Sequence, residues 1–239
     1  MKTSTMLIIT AILIILGSLV AFNYTLKAVY LTGEYKSRFN GMDFTPFNGV
    51  EKLNIQTERL YSVQVEHGDK EGMWVERDIK EKVKFEVRQQ TLSLGESDAS
   101  KKEKSTWING RIIIITKNLN AIVTVSNYKP KKGERYPYGL SEISLKGYHL
   151  GQLDLQIESY VSIYLHHMVI QTLNAIVGTK TSEGAELTLA SDNKINNATL
   201  NVPGNSKLTL IDPKIVKTNY MLSDSATVSL NGKVVQMIK

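Results

Sequence analysis

The residues of this sequence that could take part in chemistry are few and scattered. The adjacent pair His166 and His167 suggests a metal site, because imidazole nitrogen is a common ligand for zinc and other transition metals. Neighbouring residues of a strand point to opposite faces of the sheet, however, so the two rings could not easily reach one ion. We therefore predict no metal site.

The best-placed pair of carboxylates is Asp154 and Glu158. General acid–base catalysis needs two such groups on one face, and their even spacing would place both on one face of a strand. We expect this strand to end near Ile157, and no Arg or Lys stands at a matching position. This pattern favours surface charge over catalysis. Asp192 and Asp212 fall in predicted turns, where we expect them to bond to their own backbone.

Motifs for other kinds of chemistry are missing. The 239 residues contain no cysteine, which removes disulfides, thiolate zinc sites and thiol nucleophiles together. The phosphate-binding patterns G-x-x-x-x-G-K-[ST] and G-x-G-x-x-G do not occur, and neither does the nucleophile elbow G-x-S-x-G. We predict that the chain is not an enzyme, with no catalytic, cofactor-binding or metal-binding residues and no cofactor.

The composition predicts one folded domain with a short appendage. Lys plus Arg is 29 and Asp plus Glu is 23, a net charge of +6, and 42% of the residues are apolar, which excludes a disordered polyelectrolyte. Two lysine-rich segments, 96–105 and 127–139, could contact nucleic acid or anionic lipid. Lysine lacks bidentate recognition, and regularly spaced stacking aromatics are missing, with Tyr136 and Tyr138 as the candidates. We predict solvated hairpin tips and no nucleic-acid partner.

Residues 6–22 (MLIITAILIILGSLVAF) form an uncharged apolar stretch. As a helix it would span about 25 Å, enough to cross a bilayer core of about 30 Å with some adjustment. A cleaved signal peptide is the alternative, but no A-x-A cleavage pattern follows. We predict a membrane partner through residues 6–22: an uncleaved signal anchor at 1–27 with its amino terminus in the cytoplasm, then a stalk at 28–45 and a domain at 46–239.

After the stalk the apolar period becomes two. Leu53 and Ile55 alternate with polar residues, as do Val63 and Val65, and glycines fall between such runs. Alternation over a few residues is typical of half-buried strands, and turns favour glycine. The domain is therefore predicted to be all-β.

A repeated phrase specifies the architecture further. A small or polar turn leads into alternating residues at 159–165 (SYVSIYL), 184–189 (GAELTL), 204–210 (GNSKLTL) and 224–230 (DSATVSL). The key apolar residues Ile163, Leu187, Leu208 and Val228 are 24, 21 and 20 positions apart. A period of about 20 residues predicts a β-solenoid, a β-helix-like stack of short strands in which these residues share one interior column.

Two further expectations follow from this stack. Thr188, Thr209 and Ser229 would form an outward hydroxyl column, and the N-terminal half, with longer strands, would be more sheet-like and act as a cap. An antiparallel β-sandwich is the competing fold, because strands every 8 to 12 residues serve it equally.

The segment 47–55, with Phe47, Gly49 and Leu53, the run 61–65 and the phrases beginning at Gly184, Gly204 and Asp224 resemble the GIN-type domain. That family is described as the head of candidate autotransporter adhesins. The resemblance covers about residues 44–232 and implies a right-handed β-helix-like stack, an envelope location and no established catalytic residues. Ser159 and Asp224 stand where the family usually has glycine.

These observations favour a membrane-anchored envelope protein, a non-enzymatic adhesion or binding module for a protein or glycan ligand. We expect a single-pass protein of a bacterial inner membrane, with its C-terminal domain in the periplasm or outside. Two alternatives stay open: a polysaccharide-acting enzyme on a β-helix scaffold, and a structural or sensing partner that self-associates through terminal coils.

Overall fold

The computed structural model of the chain describes residues 3–33, 36–56, 62–98, 100, 110–126, 141–181 and 183–232. Residues 101–105 of the first lysine-rich segment and all of the second (127–139) lie outside these ranges, so their assignment as hairpin tips stays a prediction. The chain divides into two compact units, Met1–Met42 and Asp43–Lys239.

The first unit contains one long apolar helix, α1 (Thr3–Thr32), none of whose residues is buried. Its 30 residues would measure about 45 Å, more than the bilayer core. The hydroxyls of Thr10, Ser18 and Thr25 donate to backbone carbonyls three or four residues earlier, at 3.0, 2.8 and 2.8 Å, so they need no water. By length and composition α1 is able to cross a membrane.

The rest of the described chain is built of strands, which confirms an all-β fold with one N-terminal apolar helix. In chain order the strands are β1 (Met42–Pro46), β2 (Lys52–Gln56), β3 (Ser62–His67), β4 (Gly72–Glu76), β5 (Val83–Arg88), β6 (Thr91–Glu96), β7 (Arg111–Thr116), β8 (Ala121–Val125), β9 (Ser141–Lys146), β10 (His149–Ile157), β11 (Val161–His166), β12 (Val169–Val177), β13 (Glu183–Leu189), β14 (Lys194–Val202), β15 (Asn205–Ile211), β16 (Lys214–Leu222) and β17 (Thr227–Asn231). A 3-10 helix (Arg77–Lys82) joins β4 to β5.

The strands form two mixed sheets. The first sheet has the order β1-β4-β7-β3-β9-β11-β13-β15-β17, and the second has the order β16-β14-β12-β10-β8-β2-β6-β5. From β8 onward, successive strands alternate between the two sheets, and each pairs in parallel with the strand two positions later. These parallel ladders contradict the antiparallel sandwich.

The predicted interior column is confirmed by the register of the first sheet. Ile163 pairs with Leu187, Leu187 with Leu208, and Leu208 with Val228. The side chains of Ile163, Leu187 and Leu208 are fully buried, whereas Val228 is partly buried against the same core. At these four positions the pairing follows the predicted spacing, and burial weakens at the C-terminal end.

The prediction of longer strands in the N-terminal half is wrong. Strands β1 to β9 have five or six residues, whereas β10, β12, β14 and β16 have nine. The long strands continue past a corner at which consecutive residues, such as Asn196 and Asn197, both face solvent. Strict alternation ends at such a corner although the strand does not.

The N-terminal end of the sheets also departs from chain order. Strand β2 lies between β6 and β8, and β3 lies between β7 and β9. Two antiparallel pairs, β4 with β7 and β5 with β6, occur at this end, where the 3-10 helix inserts the buried Ile79.

Candidate binding face

The two carboxylates predicted as the best acid–base candidates have different neighbours. Asp154 lies in β10, and Glu158 follows the strand, which ends at Ile157 as expected. The Asp154 carboxylate binds side-chain amides, while the backbone N–H of Glu158 donates to the Thr124 hydroxyl at 2.8 Å. The two residues therefore lie in different hydrogen-bond networks.

The premise used for the histidine pair fails at His167. This residue lies beyond the end of β11 and has a φ of 51°, which turns the chain. Both Nδ1 atoms consequently face Oδ2 of Asp192, at 3.9 Å from His166 and 2.8 Å from His167. Within the described residues, no group of three His, Asp or Glu side chains is arranged to hold a metal ion.

The predicted hydroxyl column is in register but is not open to solvent. Thr188 pairs with Thr209, and Thr209 pairs with Ser229. Thr188 is only 3% exposed and Thr209 9%, and the Thr209 hydroxyl donates to Glu186 Oε1 at 3.0 Å. The Glu186 carboxylate also accepts from Lys207 Nζ at 2.9 Å. The expectation of a wet hydroxyl column on the first sheet is therefore wrong.

The open polar columns lie instead on the outer face of the second sheet. Two columns run side by side across β10, β12, β14 and β16, and all their members are exposed or half-buried. We call these eight residues the polar face: Gln152, Thr172, Asn197 and Lys217 in one column, and Asp154, Asn174, Thr199 and Asn219 in the other.

The polar face is ordered by hydrogen bonds within and between strands. Oδ1 of Asp154 accepts from Asn174 Nδ2 at 2.8 Å and from Gln152 Nε2 at 3.0 Å, and Oδ2 accepts from Gln152 Nε2 at 2.9 Å. At the corner beside these columns, Asn196 donates to the side chain of Gln171. Because these hydrogen bonds already hold the side chains in place, less side-chain entropy is lost when a ligand binds.

The chemistry of this face is that of hydrogen bonding. Amides and hydroxyls both donate and accept, and adjacent strands repeat them about every 4.8 Å. Each such bond contributes about 0.5 to 1.5 kcal/mol net, so useful affinity requires several at once. The face therefore suits a ligand with many hydroxyl or amide groups.

A sequence signal for this face exists in the spacing of polar pairs. The pairs Gln152-x-Asp154, Thr172-x-Asn174, Asn197-x-Thr199 and Lys217-x-Asn219 recur at intervals of 20, 25 and 20 residues. The phrases that predict the first sheet do not include these four pairs, so the polar face was not predicted.

A separate charged cluster stabilises the N-terminal end of the sheets. Asp43 of β1 binds Lys80 Nζ at 2.7 Å and Arg77 Nε at 3.1 Å, both from the 3-10 helix. Hydrogen bonds from Lys80, which has the larger effect, and from Arg77 hold the pKa of Asp43 below its ordinary value of 3.8. The carboxylate is satisfied by these cations, which indicates a structural tie.

No protein-family model matches the chain, and no curated protein matches its sequence. The chain is distantly similar to three crystal structures, each covering 80% of its length. They are a candidate adhesin from Bacteroides fragilis (TM-score 0.48, 13% identity, 95% of that chain covered), a candidate lipid-binding protein from Parabacteroides distasonis (0.37, 12%, 96%) and a candidate cell adhesion protein from Clostridium sporogenes (0.25, 10%, 98%).

Proposed function

We propose that this chain is a non-enzymatic binding module that presents the polar face to a glycan or protein ligand. The observation that carries the proposal is the Asp154 network, which ties Gln152 and Asn174 into a regular array of donors and acceptors. The side chains that bind the Asp154 carboxylate are amides, and amides supply neither a nucleophile nor a proton acceptor of useful basicity.

The scaffold of this module is proposed to be a β-solenoid. The support is the alternation of strands between two sheets and the parallel pairing of each strand with the strand two positions later. A GIN-type domain is proposed on the same basis, because its phrases at Gly184, Gly204 and Asp224 lead into or lie within β13, β15 and β17.

The location proposed for the module is the surface of a bacterial inner membrane, facing the periplasm or the outside. Helix α1 supports a single-pass anchor, and its extent to Thr32 suits a rigid continuation into the segment that we assign as stalk. The proposed divisions are 1–27 for the anchor, 28–45 for the stalk and 46–239 for the solenoid.

Binding of the full chain in detergent to a glycan array and to envelope proteins tests the proposal. Asn197→Arg places a bulky cation in the polar face, and we expect it to weaken binding at least about tenfold. Glu142→Arg is the matched control, because Glu142 is exposed on the outer face of the first sheet. Equal binding by both variants would contradict the assignment of the face.

The alternative, that the chain is a polysaccharide-acting enzyme, predicts a different result in a turnover assay. Turnover of an acidic polysaccharide by the wild-type chain, lost in Asp154→Ala, would show that Asp154 is catalytic and would defeat the proposal. A binding-only protein shows no turnover in either form.

A further inference from the structure

The two ends of the strand ladders expose different kinds of residue. At the N-terminal end of the second sheet, β5 carries the exposed charges Lys84, Glu86 and Arg88. Charged edge strands resist pairing with another chain. At the other end of this sheet, β16 is the terminal strand among the described residues, and it exposes Val216 (83%), Tyr220, Met221 and Leu222. Beside these apolar side chains β16 carries the exposed Lys214 and Lys217, so its charges are of one sign, whereas those of β5 are of both signs.

The core is also incomplete at this end. Ile215 and Leu230 are partly buried against the core, as is Val228. Their partners on the neighbouring strand of the same sheet are Ile195, Leu210 and Leu208, which are at most 1% exposed. Another layer of apolar side chains would complete the burial of this last pair of strands.

We propose that a second copy of this chain supplies that layer, by antiparallel pairing of β16 with its counterpart across a two-fold axis at Asn219. Such an interface is isologous, so one strand must be complementary to itself. In this register Thr218 lies opposite Tyr220 of the other copy, and Lys217 lies opposite Met221. Neither lysine of the strand meets its own counterpart.

Charge complementarity supports this register. Lys214 and Asp224 are both exposed and lie five positions on either side of Asn219. Antiparallel pairing about Asn219 brings Lys214 of each copy towards Asp224 of the other. In this register apolar side chains flank Asn219 on both sides, since Val216 of each copy lies opposite Leu222 of the other, and an ion pair follows at each end. Antiparallel pairing of the two β16 strands also adds main-chain hydrogen bonds.

Cysteine cross-linking tests the position of the axis. The chain has no cysteine, so the single thiol of Asn219→Cys can only react with its counterpart. Opposite residues of an antiparallel pair are about 4.5 to 5.5 Å apart at Cα, which is within disulfide range. In the full chain in detergent, we expect oxidation to give a covalent dimer for Asn219→Cys and none for the control Asn174→Cys. Association through α1 alone does not favour position 219, so equal cross-linking of both variants, or none at 219, overturns the proposal.

A charge swap tests the register. We expect Lys214→Asp, and separately Asp224→Lys, to raise the dimer dissociation constant roughly tenfold, because each juxtaposes like charges. The double variant restores the opposite pair and should return the constant to near that of the wild type. Light scattering of the full chain as a function of concentration measures the dimer dissociation constant of each variant. Single variants as tight as the wild type, or a double variant as weak as the singles, contradict the register.

The chain's own residues 233–239 are the competing occupant of this edge. Removing them should leave the dissociation constant within about twofold of the full chain if a second copy occupies the edge. A chain that is monomeric when complete and dimeric without 233–239 would assign the edge to that segment and overturn the proposal.

Discussion

At the scale of single residues, one buried turn is held together by the side chain of Asn193. It is fully buried in the turn before β14, where its Nδ2 donates to the carbonyls of Leu165 (2.7 Å) and Ala190 (2.9 Å) and its Oδ1 accepts from the N–H of Met168 (3.0 Å). Asn193→Ala removes these three bonds: the N–H of Met168 loses this acceptor, while the carbonyls of Leu165 and Ala190 keep bonds from the backbone N–H groups of Ala190 and Asn193. We expect a cost of about 1 to 3 kcal/mol in the free energy of unfolding. Denaturant unfolding of the full chain in detergent measures this cost.

The matched control for that prediction is Asn197→Ala, at an exposed position of β14, the strand that follows this turn. We expect it to change the free energy of unfolding by no more than about 0.5 kcal/mol. A similar loss in both variants would mean that the buried bonds of Asn193 contribute little.

The same turn shows what residue types alone could predict. The residue type predicts that Asp192 bonds to its own backbone. In the structure its carboxylate faces His166 and His167, and the neighbouring Asn193 binds the backbone instead. Both residues have short side chains suited to turns, so composition predicts a turn and cannot assign the partners. The left-handed φ of His167, which lets both rings face Asp192, has no signal in the sequence.

At the scale of the strand, close packing between neighbouring turns makes one glycine critical. A Cβ on Gly204, just before β15, would lie 2.1 Å from the Thr179 carbonyl oxygen, whereas a Cβ on Gly151 in β10 would meet nothing within 4 Å. We expect Gly204→Ala to lower the free energy of unfolding by about 1 to 3 kcal/mol, because backbone has to move.

Gly151→Ala serves as the control, and we expect it to stabilise the chain by up to about 1 kcal/mol, since glycine weakens a strand interior. Thermal unfolding of the two variants should therefore shift in opposite directions. A stable Gly204→Ala variant would show that the turn has more room than the contact with Thr179 implies.

Strands were predictable where one face is buried throughout, and less so elsewhere. Alternation in 163–165 predicts the inward side chains of Ile163 and Leu165 correctly, because each pairs with a buried leucine of the next strand in the sheet. The corner at Asn196 breaks alternation without ending β14. The insertion of β2 between β6 and β8 depends on contacts between distant segments, which no local pattern encodes.

At the scale of the whole strand-rich unit, stability should fall towards the C-terminal end. Leu165, Leu189, Leu210 and Leu230 pair in sequence along one interior column. In a stack each layer is stabilised by its two neighbours, and a terminal layer by one. Leu189 is fully buried between Leu165 and Leu210, whereas Leu230 is only partly buried.

Leu→Ala at two positions of this column measures that gradient with identical chemistry. We expect Leu189→Ala to lower the free energy of unfolding by about 3 to 5 kcal/mol, through lost burial and a cavity, and Leu230→Ala by about 1 to 2 kcal/mol. If two copies meet at β16, the smaller cost should grow when the protein concentration exceeds the dimer dissociation constant, because the interface then covers Leu230. Equal costs at both positions, at every concentration, would mean that the C-terminal layer is as enclosed as the middle of the column.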